Sequence, residues 1–150
     1  MTHNMKKLIA LLLLSMGLTA HAQAPVYGAE LQGFEYPAPL ARFEFSAQGQ
    51  KLNMAYLDYH PEQANGHSVV LMHGKNFCAA TWHETAQFLQ QAGFRVIVPD
   101  QIGFCKSSKP SSYQYSFQQL AHNTRALLNS IGIKRVTLIG HSTGGMLATR

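Results

Sequence analysis

The sequence predicts an α/β domain in which a mostly parallel sheet carries helices on both faces. The first observation is a series of short, continuous apolar runs, which are typical of strands buried on both faces of a parallel sheet. The second is that segments of helical spacing separate these runs, so that strands and helices alternate along the chain. The third is that glycine or proline closes most of these elements. The closing residues are Gly93, Pro99, Gly132 and Gly140.

Two alternating segments precede the apolar runs. Residues 42–46 alternate polar and aromatic side chains, and residues 52–59 alternate again. A period of two residues is the pattern of a half-buried strand. Since a turn sequence occupies residues 48–50 between them, we expect an antiparallel hairpin at the start of the domain.

Three buried strands and three helices follow the hairpin. The strands are predicted at residues 69–72, 95–98 and 135–139. The helices are predicted at residues 81–92, 117–131 and 143–150. Helical spacing gives the first helix a buried face of Trp82, Ala86 and Leu89, with Phe88 as a further candidate. It gives the second helix a buried face of Leu120, Thr124, Leu127, Leu128 and Ile131.

Composition indicates a folded protein that does not bind nucleic acid. Of the 150 residues, 46% are apolar and 13% are charged, which favours a packed core over disorder. The net charge of +5 includes Lys6 and Lys7, which lie in a segment that we expect to be removed. Without them, 10 basic residues against 7 acidic ones leave +3, and no basic run or patch is present.

The N-terminus has the pattern of a signal peptide. Lys6 and Lys7 supply positive charge, and residues 8–18 form an apolar stretch within the usual length of about 7–15 residues. Ala20 and Ala22 then place small side chains at the two positions that signal peptidases recognise. We therefore expect cleavage after Ala22 and export, either to the periplasm or out of the cell.

Two alternatives to this cleavage are less favoured. Cleavage after Ala24 would leave Pro25 next to the cut. An uncleaved membrane anchor needs roughly 20 apolar residues, whereas polar residues return at Thr19, so no stable anchor is predicted.

The chain thus divides into a signal peptide at residues 1–22, an extended N-terminal arm at residues 23–40 and a domain at residues 41–150. The arm is assigned because its segment is rich in Pro, Gly and Ala and shows no periodicity.

The motif G-x-S-x-G occurs at residues 140–144, directly after a predicted strand and directly before a predicted helix. This context is that of a nucleophile elbow, which makes Ser142 the candidate nucleophile. So tight a turn forces the serine to a positive φ, and Gly140 and Gly144 leave room for it. We expect Gly145 to let the helix pack closely on the sheet. The alternative is an ordinary Gly/Ser turn.

Three segments together resemble the α/β-hydrolase superfamily, in its branch of esterase-like and C–C-hydrolase-like enzymes. They are MHGKNFCAATW, PDQIGFCKSSKP and IGHSTGG, and the resemblance runs from about Arg42 to Arg150. It implies an oxyanion hole formed by the backbone N–H groups of Thr143 and Lys75, with Asn76 as the alternative to Lys75. A simple turn at the strand exit is the competing interpretation of residues 73–76.

The two cysteines lie in the segments that carry the resemblance. Cys105 replaces the second glycine of the family's usual G-x-G-x-S loop, and Cys78 lies in the oxyanion loop. Because the family's sheet places these two strands side by side, the resemblance implies a Cys78–Cys105 disulfide. It would close a loop of about 27 residues and contribute roughly 3–4 kcal/mol. Free or catalytic thiols are the alternative.

Several polar residues near these motifs have structural rather than catalytic roles in this interpretation. His141 is expected to pack away from the nucleophile, His73 to support its loop by hydrogen bonds, and Asp100 to shape a loop rather than act as triad acid. His83 and Glu84 lack the second histidine of a zinc motif. No metal or cofactor is predicted. His122 is expected at the surface or between helices.

In the resembled family an acid and then a histidine follow the serine along the chain, whereas residues 143–150 contain no Asp, Glu or His. We therefore expect a fold truncated after the nucleophile elbow, with an exposed apolar sheet edge and no activity of its own.

For the parent protein, the sequence predicts hydrolysis of a small carboxylic ester or lactone through an acyl-enzyme, with C–C bond cleavage as the next candidate reaction. A non-catalytic binding module or inactive fragment is the alternative. Epoxide hydrolases and dehalogenases of this fold use aspartate at the elbow. No oligomeric state is predicted.

Overall fold

A computed structural model of the protein describes residues 24–150. The predicted signal peptide and its cleavage site after Ala22 lie outside these residues. The strands are β1 (Leu40–Ala47), β2 (Gln50–Tyr59), β3 (Ser68–Met72), β4 (Arg95–Pro99) and β5 (Thr137–Gly140). The helices are α1 (His83–Gln91), α2 (Phe117–Ser130) and α3 (Thr143–Ala148), and a 3₁₀ turn at Ala79–Trp82 precedes α1. None of the described helices has the length and apolar character needed to span a bilayer.

The strands form one sheet in the order β1-β2-β4-β3-β5. Strands β4, β3 and β5 run parallel, while β1 pairs antiparallel with β2, and β2 pairs antiparallel with β4. The sheet is therefore mixed, and the predicted parallel part is the half that carries the G-x-S-x-G turn. Since β3 and β4 are parallel neighbours, the segments that follow them leave the sheet at the same edge.

Helices cover both faces of the sheet, as predicted. On one face, α2 and α3 bury side chains such as Leu127 and Leu147 against Val70 and Ile97 of the central strands. On the other face, α1 buries Ala86 against alternate residues of the same strands. The period-two alternation of each strand supplies one set of apolar side chains to each face.

The predicted hairpin is present, and its turn explains its geometry. Gln48 and Gly49 link β1 to β2 with φ values of 49° and 73°. Two consecutive residues at positive φ are the signature of a type I′ turn, whose twist matches that of the flanking strands. Ala47 consequently pairs with Gln50, and this register continues to Leu40 opposite Leu57.

The first predicted helix differs from the observed one at its start and on one face. The helix predicted at residues 81–92 begins as the 3₁₀ turn, and α1 itself begins at His83. Phe88, the further candidate for the buried face, is 70% exposed. Trp82 and Leu89 are half-buried against the core, and only Ala86 is fully enclosed. A helix this short meets the sheet along a narrow stripe, which leaves Phe88 outside it.

The prediction of a buried strand at residues 135–139 was wrong about burial. The strand is β5, and Leu138 and Ile139 are each 37% exposed. The reason is topological, because β5 pairs with β3 on one side and with no described strand on the other. The expected exposed apolar sheet edge is therefore present at β5.

Candidate active site

Ser142 lies in the turn between β5, which ends at Gly140, and α3, which begins at Thr143. Its backbone has φ 55° and ψ −119°, a conformation that costs a residue with a Cβ of order 1–3 kcal/mol and is therefore informative where it occurs. Its carbonyl oxygen accepts hydrogen bonds from the N–H groups of Gly145 (2.9 Å) and Met146 (3.3 Å). The side chain is exposed. The turn thus presents a hydroxyl at the carboxyl edge of the parallel strands.

Glycines make this turn sterically possible. A Cβ on Gly140 would lie 2.3 Å from the carbonyl carbon and oxygen of Gly144. A Cβ on Gly144 would lie 2.2 Å from the carbonyl oxygen of Met72, at the end of β3. Real Cβ atoms do not approach backbone this closely, so both positions require glycine.

The expectation that Gly145 allows close packing was wrong, because a Cβ there would meet its nearest neighbour, the carbonyl oxygen of Gly140, at an ordinary 3.5 Å. Gly144 is the residue that contacts the sheet.

The end of β3 lies directly against the elbow. The N–H of His141 donates to the carbonyl oxygen of Met72 at 3.1 Å. A Cβ on Gly74 would lie 3.1 Å from the Cβ of Ser142 and 2.8 Å from Nδ1 of His141. The backbone at Gly74 is therefore in close contact with the residue that carries the candidate nucleophile.

A tight turn follows, at residues 74–77. The N–H of Phe77 donates to the carbonyl oxygen of Gly74 at 3.1 Å, and Asn76 has φ 67°. A positive φ at the third position is characteristic of a type II turn. Lys75 and Asn76 are both exposed, and their N–H groups, like that of Thr143, find no acceptor within residues 24–150. Exposure and hydrogen bonding therefore do not distinguish Lys75 from Asn76 as the candidate second donor of the oxyanion hole.

His73 connects this turn to the segment that follows β4. Its side chain is buried, with Nδ1 2.9 Å from the carbonyl oxygen of Gly74 and Nε2 3.0 Å from the N–H of Gln101. A carbonyl only accepts and an amide N–H only donates, so the ring carries its proton on Nδ1 and is neutral. Burial lowers the pKa of His73, against opposing contributions from Gly74 and Asp100. Through these two contacts His73 supports its loop by hydrogen bonds, as predicted.

Asp100 shapes the surrounding loops, as expected. Its fully buried carboxylate accepts from the N–H of Ala79 at 2.7 Å through Oδ1. Through Oδ2 it accepts from the N–H of Lys106 at 3.0 Å and from the hydroxyl of Tyr36 at 2.5 Å. Burial, followed by the contact with Asp100, raises the pKa of the Tyr36 hydroxyl. One carboxylate thus binds three separate segments of the chain.

A disulfide joins Cys78 to Cys105, with their Cα atoms 5.7 Å apart. It links the segment after β3 to the segment after β4. Although the two sulfurs and a carboxylate oxygen of Asp100 lie close enough to hold a metal ion, sulfurs in a disulfide are not thiolate ligands. Cys105 has φ 45°, a conformation that the glycine of the resembled motif adopts freely.

His141 packs on the same turn. Its ring meets Phe77 edge to face, with ring centroids 5.7 Å apart. Nδ1 of His141 lies over Gly74, as its distance to a Cβ placed there indicates. The expectation of a packing role therefore fits the contacts of His141. Elsewhere, His122 is exposed on α2, and Nδ1 of His83 lies 3.0 Å from the hydroxyl of Tyr59.

The family model described as the alpha/beta hydrolase fold matches residues 67–150, the part of the chain that contains all of these loops. The chain belongs to the α/β-hydrolase family.

Solved structures and a curated relative agree with this family. A crystal structure of a probable hydrolytic enzyme from Pseudomonas aeruginosa is 62% identical, with a TM-score of 0.84, over 86% of this chain and 41% of that chain. A structure from work on carboxylesterases of Nitrososphaera gargenis is 28% identical, with a TM-score of 0.63, over 71% and 38%. The haloalkane dehalogenase of Psychrobacter cryohalolentis is 30% identical over 69% of this chain and 34% of its own length. The chain therefore spans between 34% and 41% of these three relatives.

Two further residues hold the loops of the candidate site, and the sequence alone does not predict their contacts. Tyr36, in the arm, reaches Asp100 across 64 positions of sequence. Gln101 uses its N–H for His73 and its side chain for Thr124 of α2. Tyr36 lies outside every motif, and Gln101, although it lies in the segment PDQIGFCKSSKP, belongs to no residue pattern that indicates these two contacts.

A cavity of about 540 Å³ also lies along α2 and β5, lined by residues such as Leu128, Leu138 and Leu147. It does not include Ser142 in its lining.

Proposed function

We propose that the full-length protein is a serine hydrolase that cleaves small carboxylic esters or lactones, with Ser142 as the nucleophile. The observation that carries the proposal is the exposed Ser142 at φ 55° between a parallel strand and a helix. A positive φ on a serine is uncommon, and the surrounding glycines are those that the turn requires.

In the proposed reaction Oγ of Ser142 attacks the substrate carbonyl carbon while a histidine from the rest of the protein takes the hydroxyl proton. The carbonyl oxygen becomes an oxyanion and accepts hydrogen bonds from the N–H of Thr143 and that of Lys75 or Asn76. The tetrahedral intermediate collapses and expels the alcohol, which receives the proton. Water then attacks the acyl-enzyme while the histidine takes its proton. The second tetrahedral intermediate collapses to release the acid, and Oγ of Ser142 recovers its proton.

A serine at this position favours acyl transfer over the chemistry of the similar haloalkane dehalogenase. Attack of a serine on an alkyl halide would leave an ether on the protein, which water does not hydrolyse readily. Attack on an ester leaves another ester, which the same histidine and oxyanion hole are able to hydrolyse. Similarity to a carboxylesterase structure points the same way.

We also propose that the protein is exported. The N-terminal segment has the pattern of a signal peptide, and a disulfide such as Cys78–Cys105 persists mainly in oxidising compartments. Mass spectrometry of the mature protein should find an N-terminus at Gln23. An intact N-terminus at Met1 in protein isolated from its natural host would contradict export with cleavage.

Labelling with a fluorophosphonate probe tests the enzymatic proposal. The full-length protein should be labelled and should hydrolyse p-nitrophenyl esters, whereas Ser142→Ala should remove labelling and lower kcat by about 10⁴-fold or more. Ser130→Ala, which alters an exposed serine at the end of α2, is the matched control and should behave as wild type. Labelling that persists in Ser142→Ala would reject the serine-hydrolase assignment. A fragment ending at Arg150 should show no turnover.

A further inference from the structure

The turn that carries Lys75 and Asn76 is held at both ends by the segment following β4. Before the turn, Nε2 of His73 accepts from the N–H of Gln101 at 3.0 Å. After the turn, Cys78 is bonded to Cys105. Only residues 74–77 lie between these two attachments. The placement of the candidate oxyanion donors therefore depends on where the β4 segment lies.

The disulfide and Asp100 bridge the same two segments at adjacent positions. Ala79, directly after Cys78, donates its N–H to Oδ1 of Asp100 at 2.7 Å. Lys106, directly after Cys105, donates its N–H to Oδ2 at 3.0 Å. Each of these two donors directly follows a cysteine of the pair, so the disulfide and the carboxylate hold the two segments together at neighbouring positions.

Cys105 occupies a backbone conformation that an unconstrained cysteine disfavours. Its φ is 45°, in the left-handed region where a side chain with a Cβ is strained and glycine is not. The neighbouring chain does not relieve this, because the hydroxyl of Ser107 accepts from the N–H of Ala55 in β2 at 2.9 Å and donates to the carbonyl oxygen of Asp100 at 2.7 Å. Without the covalent link, a rotation at Cys105 would shift the N–H of Lys106 away from Asp100.

We propose that the Cys78–Cys105 disulfide is a positioning element for the oxyanion turn, and that it makes ester hydrolysis sensitive to dithiol reductants. The inference rests on the proposed serine-hydrolase function. When the disulfide opens, Cys105 leaves its left-handed conformation, the contacts of Asp100 with Ala79 and Lys106 loosen, and the turn at residues 74–77 loses one of its two attachments. The nucleophile itself is unaffected, because the elbow is held by its own backbone contacts.

The chemical step is thiol–disulfide exchange. A dithiol thiolate attacks one sulfur of the pair and releases the other as a thiolate, and the second thiol of the reagent then displaces the first sulfur. The protein gains two electrons and two protons and becomes a dithiol, while the reagent becomes a cyclic disulfide. Both cysteines are half-buried rather than enclosed, so a small reagent reaches them.

The first experiment uses the full-length protein in its oxidised and reduced states. Dithiothreitol is added below the unfolding temperature until thiol titration finds two sulfhydryls more than in the oxidised protein, and circular dichroism verifies that the fold is retained. Misplaced oxyanion donors act on the transition state, so kcat for p-nitrophenyl acetate should fall by about 10-fold or more while KM changes little. Labelling of Ser142 by a fluorophosphonate should slow but still reach completion.

Two variants separate the loss of the bond from the strain at Cys105. Cys78→Ser with Cys105→Ser removes the bond and keeps a side chain at φ 45°, and it should resemble the reduced wild type. Cys78→Ser with Cys105→Gly also removes the bond but supplies the residue that adopts this conformation without strain, so it should lose less kcat than the serine variant while staying below the oxidised wild type. Neither variant should respond to dithiothreitol.

The outcomes distinguish this inference from the function on which it rests. If the oxidised wild type neither labels nor hydrolyses esters, the proposed function fails. If it does both and fully reduced, folded protein keeps its kcat, the positioning role is overturned. Equal loss of kcat in the serine and glycine variants would reject the contribution of Cys105 strain. If the serine variant does not fold, the reduction of wild type and the glycine variant still decide the question.

Discussion

The elbow and the two loops beside it are stabilised in opposite ways. At the elbow, residues 140–145 are fixed by backbone contacts so close that Gly140 and Gly144 cannot carry a side chain. In the neighbouring loops after β3 and β4, the backbone is held by side chains. The buried carboxylate of Asp100, the ring of His73 and the Cys78–Cys105 disulfide reach across from one segment to another.

This difference predicts how each region responds to mutation. The elbow should fail when an atom is added, because the added atom overlaps with backbone that has no freedom to move. The adjoining loops should fail when an atom or a charge is removed, because buried donors then lose their acceptors.

Substitution of Gly144 should have the largest effect on stability. A Cβ at this position would lie 2.2 Å from the carbonyl oxygen of Met72, so Gly144→Ala should destabilise the full-length protein by about 3 kcal/mol or more. Gly145→Ala is the matched control, because a Cβ at that position would lie 3.5 Å from its nearest neighbour, the carbonyl oxygen of Gly140. Denaturant unfolding of both variants measures the difference. Equal stabilities would show that the elbow backbone is free to yield.

Removing the charge of Asp100 should rank second. An asparagine has one acceptor oxygen, so in Asp100→Asn either the N–H of Ala79 or that of Lys106 faces an NH₂ group. A buried donor left in this way costs about 2–3 kcal/mol. Unfolding by denaturant would measure the loss. A stability within 0.5 kcal/mol of wild type, at roughly the level expected of a neutral surface change, would contradict the loop-tethering role.

The arm's contact with Asp100 should contribute less. Tyr36→Phe removes one of the three hydrogen bonds to the carboxylate and leaves the two backbone donors in place, so we expect a loss of about 1.5 kcal/mol. Tyr27→Phe, which alters an exposed tyrosine of the arm, is the control and should change stability by less than about 0.5 kcal/mol. If both variants unfold alike, the Tyr36 hydroxyl contributes nothing to the loops.

Lowering the pH should reduce the unfolding free energy because His73 becomes protonated. In the unfolded chain a histidine has a pKa of about 6.5, and burial lowers the pKa of His73 in the folded protein. Between these two values the unfolded state binds more protons, so the stabilising contribution is complete above about pH 6.5 and is lost as the pH falls through the folded pKa. Protonation would also put a hydrogen on Nε2 of His73, so that this nitrogen no longer accepts from the N–H of Gln101.

The unfolding free energy should therefore fall between pH 7.5 and pH 5 more steeply in wild type than in His73→Gln. His122→Gln, which replaces an exposed histidine on α2, should keep the wild-type slope. This is the smallest of the expected effects, and identical slopes for wild type and His73→Gln would refute it.

Much of the fold followed from local patterns, and the errors have a common cause. Periodicity located every strand and helix of the described chain to within a few residues, and the spacing of G-x-S-x-G located the elbow. Phe88 and the strand at residues 135–139 were assigned to the interior because they are apolar, whereas burial depends on what packs against them. Gly145 was preferred over Gly144 because sequence order does not reveal which glycine faces β3.

The sequence by itself determined the alternation of strands and helices and the position of the turn at Ser142, since both depend on residues that are neighbours along the chain. Only the tertiary structure decided that Tyr36, Ala79 and Lys106 share one buried carboxylate and that Cys105 has a left-handed backbone. Such contacts join segments separated by as many as 64 positions, and they form only when the parallel order of β3 and β4 brings their loops to one edge of the sheet.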